Sequence, residues 1–353
     1  MISPELNIVL TQFNLAESPV NALLWGEGHI HETYLVETEN HHPDYILQKL
    51  NHFVFRNIPG MMENIEAVTS HIRKKLTLLP RHNPDIESLT LVYTKNGQSY
   101  YRDENEVFWR MYVFIPDTIS LQKIAETPQA FEAGNAIGFF QAMLSDLETP
   151  LVETIPDFHN IDFRISQYVQ AKRADTARRV ELVPDDILFV EKRFSQMTSY
   201  YKSLKEKAVV RATHNDTKVN NVLFDHDNKA QCLIDLDTVM PGYVHFDYGD
   251  ALRTMANTAL EDERDLEKVH FNEDVYQAFT KGYLQAAGSF LNQDELMLLP
   301  YAPIYLTFMI GLRFLTDHLN GDVYYRIHHP GHNLDRARVQ FKLVQEMEKA
   351  FNF

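Results

Sequence analysis

Residues 213–225 read Thr-His-Asn-Asp-Thr-Lys-Val-Asn-Asn-Val-Leu-Phe-Asp, and this stretch is the most informative part of the sequence. A lysine follows Asp216 by two residues and an asparagine follows it by five. An apolar run comes next, then residues 226–229 with turn composition, then a second apolar run that ends in Asp235. This order predicts a polar loop that leads into a β-hairpin, with oxygen-bearing side chains at both ends of the hairpin.

These residue types, in this order, suit phosphoryl transfer, in which a protein mainly positions an acceptor and neutralises charge. We expect Asp216 to act as the base or orienting group at the acceptor hydroxyl, with Lys218 beside the moving phosphoryl group. Asn221 and Asp235 would supply Mg²⁺ with an amide oxygen and a carboxylate. Asp237 is either a second metal ligand or a structural carboxylate. The alternative is that a surface hairpin without catalytic function carries this pattern by coincidence.

Composition excludes several classes of protein. The 353 residues carry a formal net charge of −16, which argues against binding to nucleic acid. One cysteine rules out an internal disulfide and fits a reducing compartment. The most apolar stretch, residues 301–315, is too short for a bilayer span and contains a proline and an arginine. We therefore expect a cytoplasmic protein without membrane partners.

The periodicity of apolar residues changes along the chain. Alternation and turn residues predict strands early in the sequence, whereas helical spacing dominates later. The predicted fold class is α+β, with an antiparallel-sheet lobe that carries one helix (residues 1–115) and a mainly helical lobe (residues 116–353). Strands are predicted at 21–25, 33–38, 45–50, 89–93, 100–102 and 107–114, and helices at 61–79, 128–147, 187–205 and in most of 274–351.

The hairpin segment resembles the catalytic loop and metal-binding aspartate of the protein-kinase-like superfamily, in its aminoglycoside phosphotransferase and choline kinase branch. Residues 214–223 and 234–250 are most similar to the N-acetylhexosamine 1-kinases, and residues 45–51, 155–159 and 311–337 also look like that group. The resemblance implies a two-lobed kinase-like fold, ATP and Mg²⁺, and phosphorylation of the C1 hydroxyl of an N-acetylated hexosamine. Leu236-Asp237 replaces the Phe-Gly of protein kinases and no Ala-Pro-Glu follows, so no protein substrate is expected.

The nucleotide half offers fewer signals. Gly26 and Gly28 would let the backbone approach phosphates, although a plain turn explains them nearly as well. A strand lysine should neutralise the phosphates and pair with a helix glutamate. Because side chains alternate along a strand, only one of the neighbouring residues Gln48 and Lys49 can face the nucleotide, and the sequence does not decide which one. The candidates are Gln48 and Lys49, with Glu63 as the partner that fits the resemblance better than Glu66, and Met111 and Val113 beside the adenine.

The acceptor half is expected around Arg313, a charge within an otherwise buried-looking helix. Arg313 either lines the sugar site near Asp216 or forms an ion pair with Asp317. Phe246, Tyr324 and His31 are further candidates for contacts to the acceptor, with support from the resemblance. His214 is expected to be a structural residue, and Asp247 or Asp250 is expected to hold the catalytic loop through backbone N–H groups.

Three functions are open at this point. The first is a sugar 1-kinase that acts on N-acetylglucosamine or N-acetylgalactosamine. The second is a kinase of the same fold that acts on an aminoglycoside, choline, homoserine or another amino sugar. The third is a nucleotide-binding pseudokinase, which is disfavoured because the candidate base and both candidate metal ligands are present together.

Overall fold

The computed structural model describes residues 2–26, 30–39 and 43–352. In chain order the strands are β1 Pro19–Leu24, β2 Glu32–Thr38, β3 Tyr45–Leu50, β4 Tyr101–Arg102, β5 Phe108–Val113, β6 Ile119–Ser120, β7 Arg211–Thr213, β8 Val222–Phe224, β9 Ala230–Leu233 and β10 Met240–Gly242. The helices are α1 Pro4–Leu10, α2 Ile58–Leu76, α3 Pro84–Glu87, α4 Thr127–Leu144, α5 Ile161–Ala174, α6 Pro184–Glu191, α7 Phe194–Lys207, α8 Val244–Met255, α9 Glu273–Ala287, α10 Gln293–Leu298, α11 Ala302–Leu319 and α12 His332–Phe351.

The chain forms two compact units. The first comprises Met1–Ile119, Met143–Ile155 and Leu223–Pro241, and the second comprises Ser120–Ala142, Pro156–Val222 and Gly242–Phe353. Their extents differ from the predicted lobes at 1–115 and 116–353. The reason is that two later stretches, one of which carries Asp235, belong to the first unit, where Asn64 on α2 donates to the carbonyls of Val152 and Val239.

An antiparallel sheet in the order β1-β2-β3-β5-β4 forms the frame of the first unit. Its strands are rich in β-branched and aromatic residues, which pack well on a pleated surface. Leu47 and Met111 are paired in register and face a core beneath the sheet. Gln48 and Arg110, the next pair, face the opposite side because successive side chains alternate.

Two helices of the first unit begin with clear capping signals. Ser3 caps α1, whose apolar residues Leu6, Val9 and Leu10 complete the core beneath the sheet. Asn57 caps α2, which has a proline in its first turn and three basic residues in its last. The helix predicted at 61–79 therefore exists with slightly earlier bounds, and its periodic apolar residues are buried, namely Met61, Ile65, Val68, Ile72 and Leu76.

The second unit is mainly helical and is centred on α11. This helix packs against α5, α8 and α12, and its approach to α12 is so close that a Cβ on Gly311 would lie 2.7 Å from the Phe341 ring. The helical run Gln293–Leu319 is long and apolar enough to cross a membrane, but 72% of its most apolar window is buried inside the protein. Burial of this degree is typical of a core helix.

Two predicted elements differ from those observed. Residues 89–93 form an isolated bridge between Leu91 and Tyr112 instead of a strand, although their backbone still bonds to β5. The helix predicted over 187–205 is two helices, α6 and α7, with a break at residues 192–193. The short helix α1 was not predicted. The mixed α+β class with an antiparallel sheet is confirmed.

Candidate active site

Asp216 lies in the polar loop that follows β7. Its Oδ2 accepts hydrogen bonds from Lys218 Nζ at 2.7 Å and from Asn221 Nδ2 at 3.1 Å. The same amide nitrogen donates to the Asp216 carbonyl at 2.8 Å, so Asn221 Oδ1 is turned away from the carboxylate. The three residues that the sequence predicted to act together are therefore in direct contact.

The Asp216 carboxyl is held in its ionised form. Burial raises the pKa of this group, but Lys218, His214 and Arg253 favour the charge and bring the pKa below its ordinary value. Asp216 is thus a carboxylate with two ordered donors at neutral pH. A carboxylate in that state can accept a hydrogen bond from an incoming hydroxyl and orient its oxygen.

Asp247 fixes the backbone of this loop from α8. Its Oδ1 accepts from the Asn215 N–H at 2.6 Å and its Oδ2 from the His214 N–H at 3.0 Å. Asn215 has a φ of 65°, a left-handed conformation that needs support from its surroundings. The prediction that Asp247 or Asp250 holds the loop is confirmed for Asp247, whereas Asp250 forms an ion pair with Arg253.

A cluster of rings and one cation lies in the same unit as Asp216. The Arg313 guanidinium carbon is 5.5 Å from the Phe158 ring centroid, 5.9 Å from Tyr324 and 5.6 Å from Tyr325. We call these residues, with His159 and Phe246, the arginine–aromatic cluster. Ring contacts join the cluster to α8: Phe158–His159 at 4.5 Å and His159–Phe246 at 4.8 Å.

Asp317 is not the partner of Arg313. Its carboxylate accepts three backbone N–H groups, those of residues 323–325, at 2.8–3.0 Å, and the Asn333 amide at 2.9 Å. Within the described residues, Arg313 has no hydrogen bond or ion pair. The ion pair that was the alternative for this residue is therefore not formed, and Arg313 is a half-buried cation surrounded by rings.

His159 and Arg164 lie next to candidate site residues and were not identified from the sequence. His159 Nε2 contacts the Asn215 carbonyl at 3.3 Å, directly before Asp216. Burial, and next the charge of Arg313, lower the pKa of His159 to about 3, so the imidazole is neutral. Burial and Arg313 also lower the pKa of Arg164 to about 10. The segment Pro-Asp-Phe-His at 156–159 was singled out only through its family resemblance, without a role.

In the first unit, Asp235 and Asp237 occupy different environments. Asp235 has a φ of 62° and begins the turn Leu236–Thr238. Asp237 is buried, and its two oxygens contact Arg110 and His31. Since His31 Nδ1 also accepts from the Asn51 N–H at 3.0 Å, both nitrogens of His31 are engaged within this unit. This geometry favours the structural interpretation of Asp237, and it leaves His31 no ring nitrogen for the acceptor contact proposed from sequence.

Gln48, and not Lys49, faces the side of the sheet that carries Asp237. Gln48 Oε1 accepts from Arg110 Nε at 2.8 Å. Lys49 Nζ lies 3.6 Å from Glu32 and 5.7 Å from the Trp109 ring, on the other face. Glu63 is exposed on α2, so the predicted pair of strand lysine and helix glutamate is not formed.

The other residues predicted to bind the nucleotide lie in different environments. The Met111 side chain is fully buried in the core beneath the sheet, and Val113 packs against that core, so both point away from Gln48. Gly26 has a φ of 78°, and a Cβ there would meet no atom of the described residues within 4 Å, which is compatible with a close approach of a ligand. Gly28 lies outside the described residues.

A sequence profile of the phosphotransferase enzyme family (APH) matches residues 24–285. The match spans most of the chain and contains the loop of Asp216 as well as the turn of Asp235. The chain belongs to the phosphotransferase enzyme family.

Solved structures agree with this assignment. The chain superposes on a microcompartment-associated aminopropanol kinase with a TM-score of 0.67 and 14% identity, covering 99% of this chain and 97% of the other. A spectinomycin phosphotransferase in complex with ADP and spectinomycin gives 0.61 and 13%, covering 100% and 99%. Choline kinase from Cryptosporidium parvum gives 0.60 and 13%, covering 94% and 90%. At these identities the likeness shows the fold, and it confirms the predicted kinase-like fold.

Family and fold together give the coarse activity. The family makes the protein a phosphotransferase, and its fold is the one seen in aminoglycoside phosphotransferases and choline kinases.

Proposed function

We propose that this phosphotransferase uses ATP and Mg²⁺ to phosphorylate the anomeric C1 hydroxyl of an N-acetylhexosamine, N-acetylglucosamine or N-acetylgalactosamine, giving the sugar 1-phosphate and ADP. The observation that carries the proposal is the environment of Arg313. A cation with aromatic neighbours, and with no carboxylate partner among the described residues, favours a neutral acceptor rich in oxygen atoms.

The same environment disfavours a cationic acceptor. Quaternary ammonium groups bind over aromatic faces, and here the rings of Phe158, Tyr324 and Tyr325 already surround a guanidinium. Arg164 adds a second positive charge, because its pKa, although burial and Arg313 lower it to about 10, still lies well above neutral pH. A choline or an aminoglycoside would meet repulsion in this cluster, whereas hydroxyl and acetamide oxygens can accept hydrogen bonds from a guanidinium.

The rings of the arginine–aromatic cluster also suit the apolar face of a pyranose. Phe246 is nearly buried and stacks with Tyr305 at 6.3 Å, while Tyr324 is 68% exposed and can contact a bound ring from the surface. His159, neutral because of its burial, adds no further charge. Carbohydrate sites combine such flat apolar surfaces with a few oriented polar groups.

The chemical step follows from the Asp216 loop. Asp216 accepts the hydrogen bond of the C1 hydroxyl and takes its proton as the oxygen bonds to the γ-phosphorus of ATP, while the bond from that phosphorus to the β,γ-bridging oxygen breaks. Lys218, 2.7 Å from Asp216, supplies positive charge beside the transferred group. Asp247 keeps the loop in place during the step.

The residues available for Mg²⁺ have suitable chemistry. Asn221 Oδ1 is turned away from Asp216, and Asp235 carries a carboxylate, so each residue has the kind of hard oxygen ligand that Mg²⁺ prefers. When bound, Mg²⁺ would neutralise phosphate charge. Use of ATP is supported by relatives of this fold solved with ADP.

A panel of acceptors tests the proposal. ADP release is measured with N-acetylglucosamine, N-acetylgalactosamine, glucosamine, choline and the methyl α-glycoside of N-acetylglucosamine, and the product is located by ³¹P NMR. We expect turnover of one or both N-acetylhexosamines and none of the methyl glycoside, whose C1 oxygen carries no proton. Equal turnover of the methyl glycoside would contradict phosphorylation at C1, and a tenfold preference for glucosamine or choline would contradict a neutral acceptor.

The variant Arg313→Gln tests whether acceptor binding depends on the Arg313 guanidinium. Losing hydrogen bonds from a charged group should raise the KM for the sugar about 10- to 100-fold and change the KM for ATP little. Arg338→Gln is the control, since Arg338 lies on α12 and pairs with Asp186. A larger effect on ATP than on the sugar would place Arg313 outside the acceptor site.

A further inference from the structure

On the side of the sheet opposite the core, the cation beside Gln48 is Arg110 of β5 and not a lysine of β3. In the register between β3 and β5, Gln48 stands opposite Arg110 and their side chains bond at 2.8 Å. Gln48 Nε2 donates to Thr33 Oγ1 at 3.2 Å, so the row extends onto β2. Lys49 points to the other face. The charge expected on β3 is therefore found one strand further along the sheet.

Arg110 is joined to the segment that carries the candidate metal ligand. Its guanidinium contacts Asp237, two residues after Asp235, and it is 1% exposed. Burial works against the charged form, but Asp237 and Asp235 raise the pKa of Arg110 above its ordinary value, so the charge is retained. Arg110 thus holds the turn whose first residue, Asp235, has the left-handed conformation described above.

A second observation on the same face points to a ligand. Tyr112 lies two residues along β5 from Arg110, with the guanidinium carbon 5.3 Å from its ring. The Tyr112 side chain is 5% exposed, and its hydroxyl has no hydrogen-bond partner among the described residues. A buried hydroxyl without a hydrogen-bond partner costs free energy and is rare in folded proteins. A bound ligand that accepts a hydrogen bond from the Tyr112 hydroxyl would explain it.

We propose that β5 carries the phosphate-binding function that a β3 lysine has in protein kinases, with Arg110 as the positioning cation and the Tyr112 hydroxyl as a hydrogen-bond donor to the phosphates of the nucleotide. Arg110 acts through Asp237 and the Asp235 turn, because it is buried. The inference rests on a nucleotide as phosphoryl donor and is independent of the sugar, so a negative acceptor panel leaves it standing.

The test measures the Kd of Mg·ADP by isothermal titration calorimetry, without an acceptor. Arg110→Gln should weaken binding about 10- to 100-fold, as loss of a residue that orients a ligand-binding group does. The double variant Gln48→Lys/Arg110→Gln places a cation on the same face of β3 and should recover a Kd within about fivefold of the wild type, an effect that packing alone would not produce. Arg102→Gln, at an exposed position of the neighbouring strand β4, is the control.

Three results would overturn the proposal: wild-type affinity in Arg110→Gln, no recovery in the double variant, or a larger loss in Lys49→Gln than in Arg110→Gln. Should Arg110→Gln fail to fold, Tyr112→Phe decides. This variant removes only the unpartnered hydroxyl, so we expect an unchanged or higher Tm together with about fivefold weaker binding of Mg·ADP. Unchanged binding of Mg·ADP by Tyr112→Phe would show that the Tyr112 hydroxyl does not contact the nucleotide.

Discussion

Replacing Asp247 with asparagine should impair catalysis as well as stability. The carboxylate accepts three hydrogen bonds, from the Asn215 N–H at 2.6 Å, the His214 N–H at 3.0 Å and Gln141 Nε2 at 2.8 Å. An asparagine has one acceptor oxygen. In its better orientation that oxygen serves His214 and Gln141, and the amide nitrogen then faces the Asn215 N–H, donor against donor.

The cost follows from this count. One buried N–H left without an acceptor destabilises the fold by about 1–3 kcal/mol. The N–H concerned belongs to the residue directly before Asp216, and a displacement of about 1 Å at a reacting group lowers a rate about 100-fold. We therefore expect kcat to fall about 100-fold with little change in the KM for ATP.

The assay combines ADP release with urea unfolding of Asp247→Asn. Tyr248→Phe is the matched control on α8, because it loses one buried hydrogen bond, to Thr280 at 2.7 Å, without touching the loop. It should lose stability of similar size and keep its kcat. If Asp247→Asn were destabilised by the expected amount but kept the wild-type kcat, the loop would not depend on this carboxylate.

Three further outcomes are expected. Asp216→Asn should lower turnover by about 10²–10⁴ while Mg·ADP binding stays within threefold, and an active variant would exclude Asp216 as the base. Burial lowers the pKa of His245 to about 4, below its unfolded value near 6.5, so the unfolded chain binds more protons and stability falls as pH drops through that window. His245→Gln should keep the bond to the Glu295 carbonyl and should lose about 2 kcal/mol less unfolding free energy than the wild type between pH 7 and 5 in urea titrations. Parallel pH dependences of the wild type and the variant would contradict this. Gly134→Ala would place a Cβ 2.1 Å from the Phe279 carbonyl oxygen, so thermal unfolding should reveal a loss of about 1–3 kcal/mol; an unchanged Tm would show that α4 and α9 can separate freely.

The parts of the site that lie close together in sequence were predictable, and those brought together by tertiary packing were not. Asp216, Lys218 and Asn221 lie within six residues, so their spacing alone indicated a shared role. Arg110, in contrast, is surrounded in sequence by Trp109 and Met111 as in any core strand. Its partner Asp237 is 127 residues away, and nothing local signals the contact.

Alternation on β3 shows the same limit. The strand Tyr45–Leu50 was predicted with its observed bounds, but alternation states only that Gln48 and Lys49 face opposite sides. Which side faces Asp237 depends on the core beneath the sheet, to which α1 contributes. That helix spans seven residues, too few for a helical period to be recognised reliably. Likewise, the spacing of Asp317 from Arg313 suggested an ion pair, but the Asp317 carboxylate instead accepts hydrogen bonds from the backbone N–H groups of residues 323–325.

The assembly of the first unit from three separate stretches has a consequence for biosynthesis. Arg110 leaves the ribosome long before Asp237, because its partner lies 127 residues further along the chain, in the last stretch of the unit. At 5–20 residues per second that interval lasts roughly 6–25 seconds. Throughout it the nascent sheet holds a guanidinium without its carboxylate, which makes this half of the enzyme a candidate for chaperone protection during translation.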